Sequence, residues 1–418
     1  MTLGAGLGKQ GAGLGRPGAG LGARLDAATK GLPAPLAVLD LDALDANAVD
    51  LVRRAAGTPV RLASKSLRVR HVLTQVLARP GFAGVMAYSV REALWLVGHG
   101  VHDVLVGYPS VDTEALDALA ADPVAAAGIT LMVDDVAQVD LLAQAAARHG
   151  TDGAHGARGA RLQVCLDVDA SLHLRVGPWS AHLGVRRSPV HSPREAAELA
   201  GRIAERDGVH VRGVMFYEAQ VAGMPDSDLL VRAVKRASVA DLDRRRRLVV
   251  DAVQDTLGHP LTLVNSGGSG SLESSAGDPV VTEVTAGSGL YVPTLFDHYR
   301  SFAPRPAAYF GLDVVRVPAP GYATVFGGGY VASGPATRSR LPRPVAPDGL
   351  LLTGREGAGE VQTPLRTRGQ DLRVGDRVWF RHAKAGEQME RFDTVHLVRG
   401  DRVETSVPTY RGEGRTFG

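Results

Sequence analysis

Thr58-Pro59-Val60-Arg61-Leu62-Ala63-Ser64-Lys65-Ser66-Leu67-Arg68 is the stretch around which the rest of the chain is organised. Val60 to Ala63 predicts a short buried strand that ends on Lys65, with a turn and then a helix from about Arg68. The carboxyl end of a buried strand is a poor place for a solubilising charge. It suits an amine that must be partly desolvated to attack a carbonyl. On this stretch alone, a rim lysine pointing to water is the competing reading.

Working outward, the pattern repeats. Further apolar runs occur at Gly84–Tyr88, Asp103–Val106, Thr130–Val133, Leu162–Asp167, Gly213–Phe216, Leu261–Val264 and Glu283–Ala286. Helical patterns fall between them, at Val90–His99, Thr113–Leu119, Val136–His149, Pro193–Asp207 and Leu229–Leu257. Alternating strands and helices imply parallel pairing, and eight strands predict a closed (β/α)8 barrel. The open doubly wound sheet is the alternative, but no dinucleotide fingerprint follows the first strand. Ahead of the barrel, Val38 to Leu41 reads as a strand, and Ala43 to Ala55 as a helix with an Asp cap. Past residue 308 the helical period disappears. Val314–Val317, Tyr322–Phe326, Arg377–Phe380 and Asp393–Val398 alternate with Gly, Pro and Asp turns. The expected organisation is a disordered Gly/Ala/Leu tail over 1–31, a barrel over 32–308 and an all-β domain over 309–418.

The bulk numbers exclude several classes. The 418 residues carry 47 basic and 44 acidic side chains, a balance that does not suit nucleic acid. Cys165 is the one cysteine, so neither an intramolecular disulfide nor a thiolate metal cluster can form, which fits a cytoplasmic protein. No apolar run is long enough to span a membrane, and no signal pattern opens the chain.

The second informative stretch follows the seventh barrel strand: Leu263-Val-Asn-Ser-Gly267-Gly268-Ser269-Gly270-Ser271-Leu272. Loops after strands seven and eight of such barrels commonly hold a phosphate. Glycines let backbone N–H groups approach an anion, and the Ser269 and Ser271 hydroxyls can join them. Gly287 and Ser288, after the eighth strand, could close the other side of the cup. An ordinary flexible linker is the competing reading of the Gly/Ser loop. An amine and an anion cup at one barrel mouth are the two fixtures pyridoxal phosphate requires: a Schiff-base lysine for its aldehyde and a cup for its phosphate. A sugar phosphate, with Lys65 attacking the substrate itself, is the rival.

The chain resembles the fold-type III pyridoxal phosphate enzymes, the alanine racemase barrel family. It is most similar to the D-threonine aldolase and D-serine dehydratase branch, including the bacterial amino acid deaminase/aldolase proteins. The residues that carry the resemblance are Pro35-Leu-Ala-Val-Leu-Asp-Leu-Asp-Ala-Leu44, Ala63-Ser-Lys-Ser66 and the segment from Leu166-Asp-Val-Asp169 to His182-Leu-Gly-Val-Arg186. Gly213-Val-Met-Phe-Tyr-Glu218 and the glycine loop complete the set. The resemblance implies that Lys65 is the Schiff-base lysine. It also implies a homodimer in which the β domain of one subunit covers the barrel mouth of the other. Arg186 or Tyr217 would read the cofactor ring; a surface salt bridge and barrel packing are their respective alternatives.

In these relatives a His-x-Cys or His-x-Asp pair in the β domain binds a divalent metal that engages the substrate hydroxyl. Here the matching residues are His382 and Lys384. An ammonium is not a ligand, so either Mn or Zn is absent and Lys384 itself polarises the hydroxyl, or Glu387 contributes to the site. His382 is then an acid/base candidate, while His396 reads as structural. Tyr410 or Arg411 could reach a neighbouring subunit. The function expected is a pyridoxal phosphate-dependent lyase for small β-hydroxy amino acids, chiefly D-isomers, running retro-aldol cleavage or dehydrative deamination. An amino acid racemase and a non-catalytic cofactor carrier are the alternatives.

Overall fold

The computed structural model describes residues 20–149, 161–176, 179–224, 229–299 and 305–418. Its strands are β1 (Leu36–Asp40), β2 (Val60–Ala63), β3 (Phe82–Ala87), β4 (Val104–Val106), β5 (Ile129–Val133) and β6 (Leu162–Val168). A hairpin of β7 (Leu172–Val176) and β8 (Trp179–Leu183) follows, then β9 (Val209–Phe216), β10 (Leu263–Ser266) and β11 (Glu283–Ala286). The remainder is β12 (Ala308–Ala319), β13 (Tyr322–Phe326), β14 (Arg343–Ala346), β15 (Leu351–Leu352), β16 (Gln362–Arg366), β17 (Arg377–Arg381), β18 (Thr394–Arg399) and β19 (Arg402–Pro408).

Eight parallel strands close a barrel in the order β2-β3-β4-β5-β6-β9-β10-β11, with β11 returning to β2. These are the eight runs expected from the sequence. The barrel helices start where short polar side chains can satisfy free N–H groups. Ser89 and Asp112 cap Val90–Val97 and Thr113–Ala121, and Ser192 with Glu195 forms a reciprocal capping box on Pro193–Ala204.

The barrel interior has two chemistries. Leu105, Met132, Cys165, Met215 and Leu263 form an apolar plug. Beside it the Arg61 guanidinium is fully buried, and every one of its donors is used. It bonds Glu283 at 2.5 and 2.7 Å, the Asp103 carboxylate at 2.8 Å and two backbone carbonyls. A charge inside a strand run is tolerable only with such complete pairing. That explains the arginine in the middle of Val-Arg-Leu-Ala.

Two departures from the sequence reading concern the chain's start. The strand Leu36–Asp40 is not part of the barrel unit. It pairs antiparallel with β12 and parallel with β18, at the centre of the second sheet, β15-β16-β13-β12-β1-β18-β19. In addition, part of the expected tail is ordered: Leu21–Ala28 is a helix. Leu21 and Leu25, one turn apart, bury against Val38, Tyr309, Val345 and Trp379, and Trp379 Nε1 donates to Asp26 at 2.8 Å. Two leucines on one face and an anchored carboxylate are enough to hold two helical turns. Residues 1–19 of the tail lie outside the described residues. Among the described residues no helix is long and apolar enough to cross a membrane.

Candidate active site

The barrel mouth gathers side chains from the carboxyl ends of most of its strands. Lys65 sits in the single 3-10 turn Ser64–Ser66 that ends β2, and its Nζ donates to the Tyr108 hydroxyl, two residues past β4, at 2.5 Å. Burial alone would raise the Tyr108 pKa. The positive charges of Lys65, Arg187 and Lys384, with the Lys65 hydrogen bond, outweigh burial and lower it.

Arg187 lies between two rings, 5.2 Å from the Tyr108 centroid and 5.3 Å from that of Tyr217, which follows β9. Its Nη2 donates to Gly107 O at 3.0 Å and faces Asp167 Oδ2, on β6, at 3.4 Å. Burial pushes the Asp167 carboxyl up to about 7; Arg187 opposes this, and Asp134 and Asp169 add to it. Arg186, the sequence candidate, is exposed, and its neighbour Arg187 is the one turned into the mouth. Burial also raises the Tyr217 hydroxyl pKa, with Glu218 and Tyr108 assisting.

The glycine loop after β10 is anchored from below by Glu218, which is 1% exposed. Its carboxylate accepts from Gly267 N at 3.2 Å, Ser271 Oγ at 2.8 Å and Ser275 Oγ at 2.5 Å. Ser269 Oγ accepts from Gly287 N at 3.2 Å and Gly289 N at 2.9 Å, tying the loop to the turn where Ser288 sits. Among the described residues, the N–H groups of Ser269 and Gly270 have no protein acceptor. The glycines are needed for close packing. A Cβ on Gly268 would come 2.9 Å from Ala222 Cβ and 3.5 Å from the Tyr217 ring, and one on Gly287 would meet Ala63 O at 2.7 Å. The two loops therefore abut the lysine turn on one side and the Tyr217–Arg187 stack on the other.

The β domain of the same chain reaches this mouth. Gly386 has φ +90°, and a Cβ there would lie 2.0 Å from the Lys65 carbonyl oxygen. A cavity of about 230 Å³ opens beside it, lined by Arg68, Tyr330, His382, Lys384, Glu387 and Glu390 among others. Lys384 Nζ donates to Ser333 Oγ at 2.6 Å and faces Glu387 at 3.6 Å. His382 is fully enclosed. Burial, with Arg381 beside it, holds its pKa down at about 3, against a backbone contact at Ala308 that works the other way. Such a ring stays neutral at physiological pH. Among the described residues His382 belongs to no group of three metal-ligating side chains, and the Lys384 ammonium occupies the position next in line. The donor set here does not fit a metal. His396 is half-buried on β18, its Nδ1 2.7 Å from Ser406 Oγ. Tyr410 does not reach outward. It is buried in its own chain, where its hydroxyl donates to Glu92 at 3.0 Å and its ring packs edge-on against Trp95.

Sequence reasoning brought Lys65, Tyr217, Gly267, Gly268, Ser269, Gly270, Gly287, Ser288 and Lys384 to this mouth or its margin. It missed Tyr108, Asp167, Arg187 and Glu218 as parts of one network. A signal for each was present: each stands within two residues of the end of an apolar run, or beside a residue already singled out.

An eight-stranded parallel barrel with a lysine and a glycine loop at its carboxyl-end mouth, abutted by a β domain, defines an α/β-barrel class. Residues 39–294 match the family described as alanine racemase, N-terminal domain, and the chain belongs to it. The chain is 27% identical over 259 residues to a 3-hydroxy-D-aspartate aldolase of Paracoccus denitrificans (strain Pd 1222), covering 62% of this chain and 60% of the relative. The chain thus spans less than two thirds of the length of the curated relatives it matches. In fold it is similar to D-threonine aldolase from Filomicrobium marinum, with TM-score 0.73, 21% identity, and coverage of 91% and 96%. It is likewise similar to D-threo-3-hydroxyaspartate dehydratase from Delftia sp. HT23, with TM-score 0.68, 18% identity, and coverage of 91% and 98%.

Proposed function

We propose that the protein is a pyridoxal phosphate-dependent lyase acting on small D-β-hydroxy amino acids. The observation that carries the reading is the Lys65 amine at the barrel mouth, hydrogen-bonded to Tyr108 and abutted by the glycine loops. The free N–H groups of Ser269 and Gly270 support a phosphate there. On this reading Lys65 would hold the cofactor's aldehyde carbon, the Ser269–Gly270 and Gly287–Ser288 loops would hold its phosphate, and Arg187 and Tyr217 would line its ring. When bound, the cofactor supplies an electron sink for bonds broken at Cα.

The chain's own residues then move protons. Lys65 would add or remove a proton at the substrate Cα. Tyr108, acidified by three cations, accepts and returns the proton of Lys65. The Lys384 ammonium polarises the β-hydroxyl. With the β-hydroxyl proton taken up by the Lys65 amine, cleavage of the Cα–Cβ bond would leave an aldehyde, and return of that proton to Cα would give glycine. If Lys65 instead took the Cα proton and the hydroxyl left as water with a proton from the Lys384 ammonium, the dehydrated amine, once released, would be hydrolysed by a water molecule to a keto acid and ammonia. The names of the related aldolases and dehydratase support the D-series assignment. We place the protein in the cytoplasm as a homodimer, in keeping with its single cysteine and its resemblance; light scattering in solution checks the dimer.

The test is the visible spectrum of the purified protein beside Lys65→Ala, with borohydride reduction and peptide mapping, followed by product assays on D- and L-β-hydroxy amino acids. A yellow protein whose reduced adduct maps to Lys65, and which releases aldehyde or ammonia, is expected. A colourless protein that takes up no added pyridoxal phosphate would remove the reading.

A further inference from the structure

Glu92, on the barrel helix Val90–Val97, is fully buried, and the proposed reaction does not use it. A buried carboxyl is costly unless its partners hold it, and here they come from separate parts of the chain. Its Oε2 accepts from the N–H of Tyr88, just past β3, at 2.7 Å. Its Oε1 accepts from the hydroxyl of Tyr410, two residues past β19, at 3.0 Å. The Ser64 hydroxyl, next to Lys65, also bonds to it. One carboxyl thus joins the lysine turn to the end of β3 and to the β domain.

The Tyr410 segment also grips the far end of the same turn. The Tyr410 N–H donates to the Arg68 carbonyl at 2.9 Å, and the Arg68 N–H returns to the Ser64 carbonyl at 2.9 Å, so both grips act on one turn. Glu413, in the short 3-10 turn Arg411–Glu413, accepts from Arg70 Nε at 3.0 Å. Arg68 itself has φ +52°, a left-handed conformation that a residue with a Cβ keeps only where its surroundings impose it. Its guanidinium pairs with Glu390 at 2.6 Å and lies 5.2 Å from the Tyr88 ring centroid. Tyr410 and Glu390 both belong to the β domain. The strained residue that follows the lysine turn is therefore fixed from outside the barrel. The Tyr410 ring is itself seated edge-on against Trp95, at 5.0 Å between centroids.

We propose that Tyr410 and Glu92 are positioning residues for Lys65, holding the lysine turn where its amine meets Tyr108. The inference rests on the reading of Lys65 as the residue that bonds the cofactor. Neither side chain touches the amine; they act through Ser64 and Arg68, on either side of it. Lys65 follows β2 and Tyr108 follows β4, so the tilt of the turn sets the 2.5 Å contact between their polar atoms. β3 lies between those two strands in the barrel, and Glu92 braces the turn against the residue just past it. Among the described residues, no hydrogen bond links Glu92 or Tyr410 to the glycine loops. Loss of the brace should therefore impair capture of an aldehyde by Lys65 and spare the binding of a phosphate.

The test compares the full-length wild type with Tyr410→Phe and Glu92→Gln, each freed of cofactor by dialysis. Tyr410→Phe keeps the ring against Trp95 and loses only the hydroxyl; Glu92→Gln keeps the shape and loses one acceptor oxygen. Circular dichroism checks that both fold. Pyridoxal 5′-phosphate can bond to Lys65, and growth of its visible band reports that capture. Pyridoxine 5′-phosphate carries an alcohol in place of the aldehyde and cannot, so quenching of protein fluorescence by it reports phosphate and ring binding alone. A 1 Å misplacement of a reacting group costs about 10²-fold, so capture should slow by roughly 10-fold or more in each variant. Affinity for pyridoxine 5′-phosphate should stay at the wild-type value. Gly321→Ala, at φ +81° with open space around it in the β12–β13 turn, should change neither. Unchanged capture in either variant would overturn the proposal. So would equal losses for the two probes, the mark of a mouth loosened as a whole. A wild type in which no visible band forms would remove the Lys65 reading, and this inference with it.

Discussion

Gly386→Ala tests whether the β domain clamps the lysine turn. The backbone at Gly386 has φ +90° and ψ −48°, a region closed to residues with a Cβ, and strain of that kind costs about 1–3 kcal/mol. The new Cβ would also sit 2.0 Å from the Lys65 carbonyl oxygen and 3.1 Å from Ser66 Cα. Real contacts begin near 3 Å, so the turn or the loop must retreat by roughly 1 Å, and overpacking of that kind costs about 1–3 kcal/mol more. The total is about 2–6 kcal/mol. Gly321→Ala is the matched control: φ is +81°, but nothing lies within 4 Å of its Cβ, so it carries the strain without the collision. Urea unfolding followed by circular dichroism should show Gly386→Ala less stable than Gly321→Ala by about 1–3 kcal/mol. Because the retreat displaces Lys65 from Tyr108, turnover should also drop, on the order of 10²-fold for a shift of that size. If the two variants were alike in both stability and turnover, the clamp reasoning would be refuted.

Three further outcomes follow from buried groups. Burial raises the Glu92 pKa from its ordinary 4.5 to about 7, with hydrogen bonds from Ser64, Tyr88 and Tyr410 opposing it. The folded state therefore holds the proton more tightly, and stability falls as pH rises from about 4.5 through 7. The difference corresponds to about 3 kcal/mol; denaturant midpoints at pH 5 and pH 8 should show that loss shrink in Glu92→Gln. Arg187→Ala removes the contacts to Gly107 and Asp167 and should weaken cofactor retention, whereas Arg186→Ala, at an exposed position, should not; dialysis followed by absorbance distinguishes them. The Cys165 thiol is fully buried and its pKa is raised by that burial, with Asp167 and Glu283 adding to the effect. A thiol reagent should find no reactive group in the native protein and one in denaturant.

The barrel was legible because its strands are buried on both faces and read as unbroken apolar runs between helices with clear caps. The same property hid the role of Leu36–Asp40. A fully buried strand looks alike in a barrel or at the centre of another sheet, and its partner β12 is far away in sequence. The helix Leu21–Ala28 was hidden because its signal is two leucines in a glycine-rich stretch, and only Trp379 and Tyr309 make them a core. At the mouth, composition pointed to Lys65 and the glycine loop, since amines and glycines are conspicuous there. Choosing Arg187 over Arg186 depends on how the loop leaves the β7–β8 hairpin. Glu218 looked like one more polar loop residue because its partners Ser271 and Ser275 lie some fifty positions on.

The placement of Leu36–Asp40 has a consequence for biosynthesis. The central sheet is assembled from both ends of the chain, so the barrel is an insertion between β1 and β12 rather than a domain preceding another. A ribosome making about 5–20 residues per second needs on the order of 15–50 s to travel from β1 to β12. Throughout that interval an apolar strand has both edges unpaired while the barrel can already close. Its late capture commits the protein to its final form only after β18 has been made, and a chain cut after the barrel would keep that strand exposed as a template for aggregation.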